Sequence, residues 1–378
     1  MHMPPFETVP FRHRAIDLGD HMKTHTLASY AAALALASCS VTSALDAPAS
    51  LAEAAAEPLT AIDEVGNAKY LGTATRTRCA VHLALQGART YELGRVYSST
   101  MPQSPFADAP VAIGHKASQG LPYTAHIANG ESGGAIGSQG TQFDALGHFG
   151  SLPGPWIAGA GPLPSASAVY FGGLTQAQVK PTDASPLLHL GVEHVAPILT
   201  TAVVLDAKAL HGSSLPAGYS ISVAEVEQMI ARQGLNRRGI LPGDAVFIRT
   251  GWGEKWQDPN PPQGEYYTGG PGLSVQADLW LAAKKIVVLG LDNPFTDPAA
   301  PCLLTGTCAP GPETLPGLPF SDHHTNLSVK GIHQIQNLDL TKIADDRVDV
   351  ACAIVLPLRV QGAAGSPIRP VAVGRPRD

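Results

Sequence analysis

The residues best suited to chemistry begin in a glycine-laced run, Gly137–Gly150, reading GSQGTQFDALGHFG. Ser138, Gln142, Asp144 and His148 lie at even intervals in it. On an extended segment, even spacing puts side chains on one face. Gly137, Gly140 and Gly147 let the backbone bend and approach closely. An amide oxygen, a carboxylate and an imidazole can thus converge on one point, a hard-to-borderline ligand set for a metal ion. The same residues would also suit a glycine-rich turn in which Gln142 and Asp144 bond backbone amides. A second cluster, Ser321-Asp322-His323-His324, precedes Gly331-Ile332 and the run Gln336-Asn337-Leu338-Asp339-Leu340. Adjacent histidines point to different faces, so one can bind metal while the other faces substrate; a solvated pair in a loop is the plainer reading. A third segment, Lys285–Pro298, ends a buried strand in Asp292-Asn293-Pro294 and then Asp297-Pro298. Asp292 either closes an Asx-turn there or supports the wall of a site.

These side chains need elements to hold them. Short, apolar, β-branched runs recur between turn residues at Thr90–Tyr97, Ala202–Leu205, Ala245–Arg249, Lys285–Leu291, Val350–Leu356 and Pro370–Val373, and the pattern predicts strands. Two helices are predicted. Ser222 and Glu225 form a capping box ahead of Val223, Val226, Met229 and Ile230, and Gly234 stops that helix. Ser274 caps the other, which runs through Lys284 with Leu279, Trp280 and Ala283 on its apolar side. No repeat of 20–50 residues is visible. The expected fold class is α/β: a single mixed α/β domain over 69–378 with a β-rich, barrel-like centre.

Composition narrows the class. The chain has 378 residues, with 39 Gly and 33 Pro, 15% charged and 44% hydrophobic residues. That excludes a disordered polyelectrolyte and disfavours a coiled coil. A net charge of −6 offers no general attraction to nucleic acid, so a small-molecule substrate is the expected partner. The amino terminus reads as an address. Residues 1–21 lack a clean period and act as a leader, with translation expected to start at Met22. Lys23 and the apolar run Leu27–Ala37 resemble a signal peptide, and Leu36-Ala37-Ser38-Cys39 matches a lipoprotein cleavage site, giving a signal segment over 22–39. A plain cleavage after Ala44 is the rival. Residues 40–68 read as a flexible tether. The expectation is an exported, periplasmic or envelope-anchored protein, touching membrane only through lipid on Cys39. Disulfides are then permitted, and Cys302 with Cys308 is the best pair.

Taken in order, several segments resemble the cyclase family of metal-dependent hydrolases, which includes kynurenine formamidases and isatin hydrolases. Thr90–Val96 resembles its opening strand, and Pro102–Pro105 the turn after it. Gly140–His148 resembles the motif H-x-G-T-H-x-D-x-P-x-H. Val203–Asp206, Gly243–Trp252 (GDAVFIRTGW) and Val288–Pro298 resemble its later strands, and His323/His324 through Leu340 its closing stretch. The resemblance implies a β/β/α-type cyclase fold and, in some members, a homodimer. The departures are specific. Ser138 and Gln142 stand where the motif has histidines, Leu146 where it has proline, and Gln336 where the closing stretch has glutamate. Glutamine binds metal only through its neutral carbonyl oxygen. The implied site holds one divalent ion, manganese or zinc, among Gln142, Asp144, His323, His324 and Gln336, with His324 the preferred imidazole.

The implied reaction is hydrolysis of an amide, formamide or lactone by activated water, with His148 as catalytic proton shuttle. Tyr123, His126 and Phe143 are candidates for an aromatic pocket or for plain core. Arg249 is a candidate for pairing with a product carboxylate or with an internal aspartate. The alternative is an envelope binding protein on the same scaffold, its catalytic metal lost through the Ser138, Gln142 and Gln336 replacements.

Overall fold

The computed structural model describes residues 62–377 except 108, 116–118, 121–126, 129–130, 134–138, 155–160, 306 and 308–319. The expected leader, signal segment and most of the tether therefore lie outside the described residues, as do Ser138, Tyr123, His126 and Cys308. The tether ends sooner than expected. Val65 and Gly66 already donate to the Asp63 carboxylate, Glu64 accepts from His189 and the Leu190 amide, and Asn67 donates to the Ile286 carbonyl. Polar anchoring of this kind leaves no apolar period to read.

The fold follows from runs of residues buried on both sides. The chain builds a curled nine-stranded mixed sheet. Its strands are β1 (Arg89–Glu92), β2 (Gln142–Asp144), β3 (Ile198–Asp206), β4 (Ala245–Arg249), β5 (Val288–Leu291), β6 (His333–Gln336), β7 (Val350–Val355), β8 (Gly365–Pro367) and β9 (Val371–Gly374), ordered β1-β9-β7-β3-β4-β5-β6-β2-β8. Strands β3, β4, β5 and β6 pair in parallel and the rest are antiparallel. Parallel strands buried on both faces need continuous hydrophobic runs, and LGL and AVFI supply them. Alternate residues divide between two cores. Ala202, Val204, Ala245 and Phe247 face one, while Val203, Leu205, Val246 and Ile248 face the other under the helices.

The described helices of eight residues or more are α1 (Thr73–Ala84), α2 (Val223–Arg232) and α3 (Val275–Ala283). Helix α2 starts on the expected capping box, Ser222 with Glu225, and Gly234 follows it at φ 68°. Helix α3 starts on Ser274 as expected, but its buried face is Ala277, Asp278 and Leu281, and Leu279 is 41% exposed. The apolar pattern misplaced that face because a carboxylate, Asp278, stands on the inward side and bonds Asn326 there. A disulfide joins Cys79 of α1 to Cys352 of β7. The expected pairing of Cys302 involves Cys308, outside the described residues. No helix among the described residues is long and apolar enough to cross a membrane.

Candidate metal centre

Strand β2 lies between β6 and β8, with Gln142 opposite Gln336 and Asp144 opposite Gln334. Directly opposed residues share a face. Register therefore gathers three amides and a carboxylate on one side, and Phe143 turns to the other. The expected parity holds from Gln142 to Asp144 only. His148 then arrives from a 3-10 turn, Leu146–His148, instead of an extended strand. His323 comes from the far end of the chain. It closes the short helical turn Ser321–His323, which runs into a π-helix, His324–Lys330. Such helices are rare and concentrate at functional sites.

The three ligand atoms of Asp144, His148 and His323 lie within 4.8 Å of one another. His323 Nε2 is 3.5 Å and His148 Nε2 3.9 Å from Asp144 Oδ2. The Gln336 amide donates to the same oxygen at 2.6 Å, and the Gln142 amide approaches Asp144 Oδ1 at 3.4 Å. Asp144, Gln142, Gln336 and His323 are buried, while the His148 side chain is 24% exposed, the most open of the set. His324 turns elsewhere and meets the Ser151 hydroxyl at 3.2 Å through Nδ1.

Sequence reasoning gave Asp297 no role here, yet it orients the site. Its carboxylate accepts from His323 Nδ1 and, at 2.6 Å, from the Asp322 amide. With Nδ1–H committed to Asp297, Nε2 is left facing Asp144, where it holds a proton or, once that proton is lost, offers its lone pair to an ion. A carboxylate behind an imidazole is the usual outer partner of a metal-ligating histidine. The dipeptide Asp297-Pro298 was visible in the sequence, but nothing local shows that it meets a residue 26 positions on.

Electrostatics favour a cation. Burial pushes the Asp144 carboxyl up, but His148, His323 and Gln336 outweigh it and hold it below the ordinary carboxylate range. Burial lowers His148, keeping its ring neutral near pH 7. Burial also disfavours charge on His323, yet Asp297 and Asp144 outweigh it and raise it to about 10. Two buried carboxylates flank that ring and demand positive charge, which a proton or a divalent ion can supply. The carbonyl oxygens Gln142 Oε1 and Gln336 Oε1 are buried and have no hydrogen-bond partner. Unpaired buried acceptors are costly unless something fills them. The donor set therefore fits a metal.

The surroundings sort the remaining candidates. Phe149 and Phe320 stand 5.1 and 5.7 Å from the His323 ring, with Phe295 and Phe106 behind Phe320. Phe143 is plain core, stacked on His333 at 5.0 Å. Arg249 pairs with the internal carboxylates Asp206 and Asp345 at 3.3 and 3.0 Å. Asp292 accepts from the Thr250 and Gly251 amides and the Thr250 hydroxyl, fixing the turn after β4. It supports a wall.

The Cyclase family model matches residues 91–298, and the chain belongs to that family. Among solved structures, a novel cyclase superposes with a TM-score of 0.64 at 23% identity, covering 82% of this chain and 96% of its own. Isatin hydrolase A from Ralstonia solanacearum superposes at 0.51 and 21% identity, over 79% and 97%. Isatin hydrolase A from Labrenzia aggregata, bound to benzyl benzoate, gives 0.51 at 18%, over 79% and 98%. These likenesses establish a shared fold. A search of curated proteins returned no match.

Proposed function

We propose that the protein is a metal-dependent hydrolase that opens an amide or ester bond in a small, aryl-bearing substrate. The observation that carries this is the convergence of Asp144, His148 and His323 beside two unpaired glutamine carbonyls. Asp144, His323 and the carbonyls of Gln142 and Gln336 would hold one divalent ion, manganese or zinc. A divalent ion there supplies Lewis acidity and lowers the pKa of water.

The chain's own residues do the rest. His148 is neutral, partly open to solvent and adjacent to Asp144, so its Nε2 takes a proton from the attacking water and returns it to the leaving nitrogen or oxygen. Asp297 holds His323 in one tautomer. Phe149, Phe320, Phe295 and Phe106 exclude water and offer ring faces to an aryl group. Two of the solved neighbours are named for isatin, a cyclic amide, which makes isatin a rational first assay compound. Export and lipid attachment at Cys39, proposed from the sequence, would direct the enzyme to amides or lactones met outside the cytoplasm. A homodimer is proposed by resemblance alone.

The metal-free binding protein stays as a second reading on one observation: the Gln336 amide NH2, not its carbonyl, faces Asp144 and can close the site without an ion. Elemental analysis and hydrolysis assays decide between them. Isatin, an N-aryl formamide and a lactone should be assayed with and without chelator. We expect bound metal and chelator-sensitive turnover, both lost in Asp144→Ala. No metal under saturating manganese or zinc, together with no turnover, would sink the hydrolase.

A further inference from the structure

A cavity of about 260 Å³ lies away from the metal centre, between helix α2, the end of β3 and residues 344–349. It shares no residue with the metal centre. Its apolar lining includes Val204, Met229 and Val348, and Arg232, Arg347 and Arg377 stand around it.

The charges there are unevenly matched. Asp206 is answered by Arg249 at 3.3 Å, and Asp349 by Arg377 at 2.5 Å and by the Gln233 amide. Two guanidinium groups have no carboxylate partner among the described residues. Arg232 gives one hydrogen bond, to the Leu210 carbonyl at 3.1 Å. Among the described residues, the Arg347 guanidinium makes no hydrogen bond or ion pair. Guanidinium donors form a planar fork that matches a carboxylate. Concave apolar surface with a few convergent polar groups is the usual form of a small-ligand site; at about 260 Å³ this cavity falls just below the roughly 300 Å³ at which drug-sized sites begin, which suits a small ligand.

We propose that this cavity binds a small organic carboxylate, its anionic head between Arg232 and Arg347 and its apolar body against Met229 and Val348. The chemistry calls for both halves. Charge alone would suit inorganic phosphate equally, whereas the apolar lining favours a carboxylate that carries a hydrocarbon group.

The test is a fluorine-NMR titration of 4-fluorobenzoate into the metal-stripped protein, with 4-fluorobenzamide and inorganic phosphate as parallel probes. Saturable 1:1 binding is expected, retained in Asp144→Ala and weakened roughly 10-fold or more in the double variant R232Q/R347Q. The amide and phosphate should each bind at least roughly 10-fold more weakly than the carboxylate. Both arginines are exposed, so the double variant should keep the wild-type melting temperature and, once reloaded with metal, the wild-type turnover. The proposal is overturned by an absence of saturable binding, by unchanged affinity in R232Q/R347Q, by loss of binding in Asp144→Ala, or by phosphate binding as tightly as the carboxylate.

Discussion

Asp144 is the residue on which the others converge, and what surrounds it separates holding an ion from moving a proton. His148→Ala should abolish turnover while metal content stays near wild type, measured by elemental analysis beside the assay; parallel loss of metal would make His148 a ligand. Asp297→Asn keeps the shape but withdraws the charge behind His323. Metal affinity should fall 10- to 100-fold, read by competition with a chelating dye, with circular dichroism unchanged. His333 gives a prediction about pH. It is fully buried and burial lowers it to about 4. Between about pH 6.5 and 4 the unfolded chain takes up a proton that the folded chain refuses, so stability falls with acidification by up to about 3 kcal/mol. In His333→Leu, denaturant midpoints at pH 7 and pH 4.5 should differ by less than in wild type; an identical difference would remove His333 as the cause. Residue types made much of this site legible. Gln142, Asp144, His148, His323 and Gln336 stand out in the sequence, and the structure gathers them. The choice between His323 and His324 was not legible, because it depends on a helical turn and on Asp297, which no local pattern reveals.

At the scale of elements, the site depends on close backbone approaches. A Cβ on Gly272 would stand 2.2 Å from the Asp297 carbonyl carbon and 2.4 Å from the Thr296 oxygen. Gly272→Ala should push Asp297 off the His323 ring, lowering metal affinity about as much as Asp297→Asn and costing roughly 1–3 kcal/mol of stability in urea unfolding. Wild-type affinity in that variant would show the contact to be elastic. Strand and helix positions were largely readable here. AVFIR gives β4 at its full length, and the Ser222–Glu225 box marks the start of α2. The buried side of α3 was not readable, since Asp278 lies on it and Leu279 does not. Burial raises Asp278 to about 7, and Asp322 well above its usual range. A pattern that counts carboxylates as outward-facing will misplace such a helix.

At the scale of the molecule, the ends of the described chain are tied together. Strand β1 pairs with β9, and the Cys79–Cys352 disulfide spans 273 residues. Reduction should lower unfolding stability by about 2–5 kcal/mol, seen as a lower denaturant midpoint in phosphine reductant than in buffer. Equal midpoints would mean that the bond constrains little. The mixed α/β class was legible from short strands between glycine- and proline-rich loops. The strand order was not, because pairing between distant segments leaves no local mark. The same topology sets a sequence of events as the chain emerges. Both α1 and β1 come out early, yet the strand that completes their sheet edge and the thiol that clasps the helix come last. At ordinary rates of synthesis that interval is on the order of tens of seconds. During it Cys79 meets Cys302 and Cys308 before Cys352 exists, so correct pairing requires either that oxidation wait for the finished chain or that an early wrong bond be exchanged.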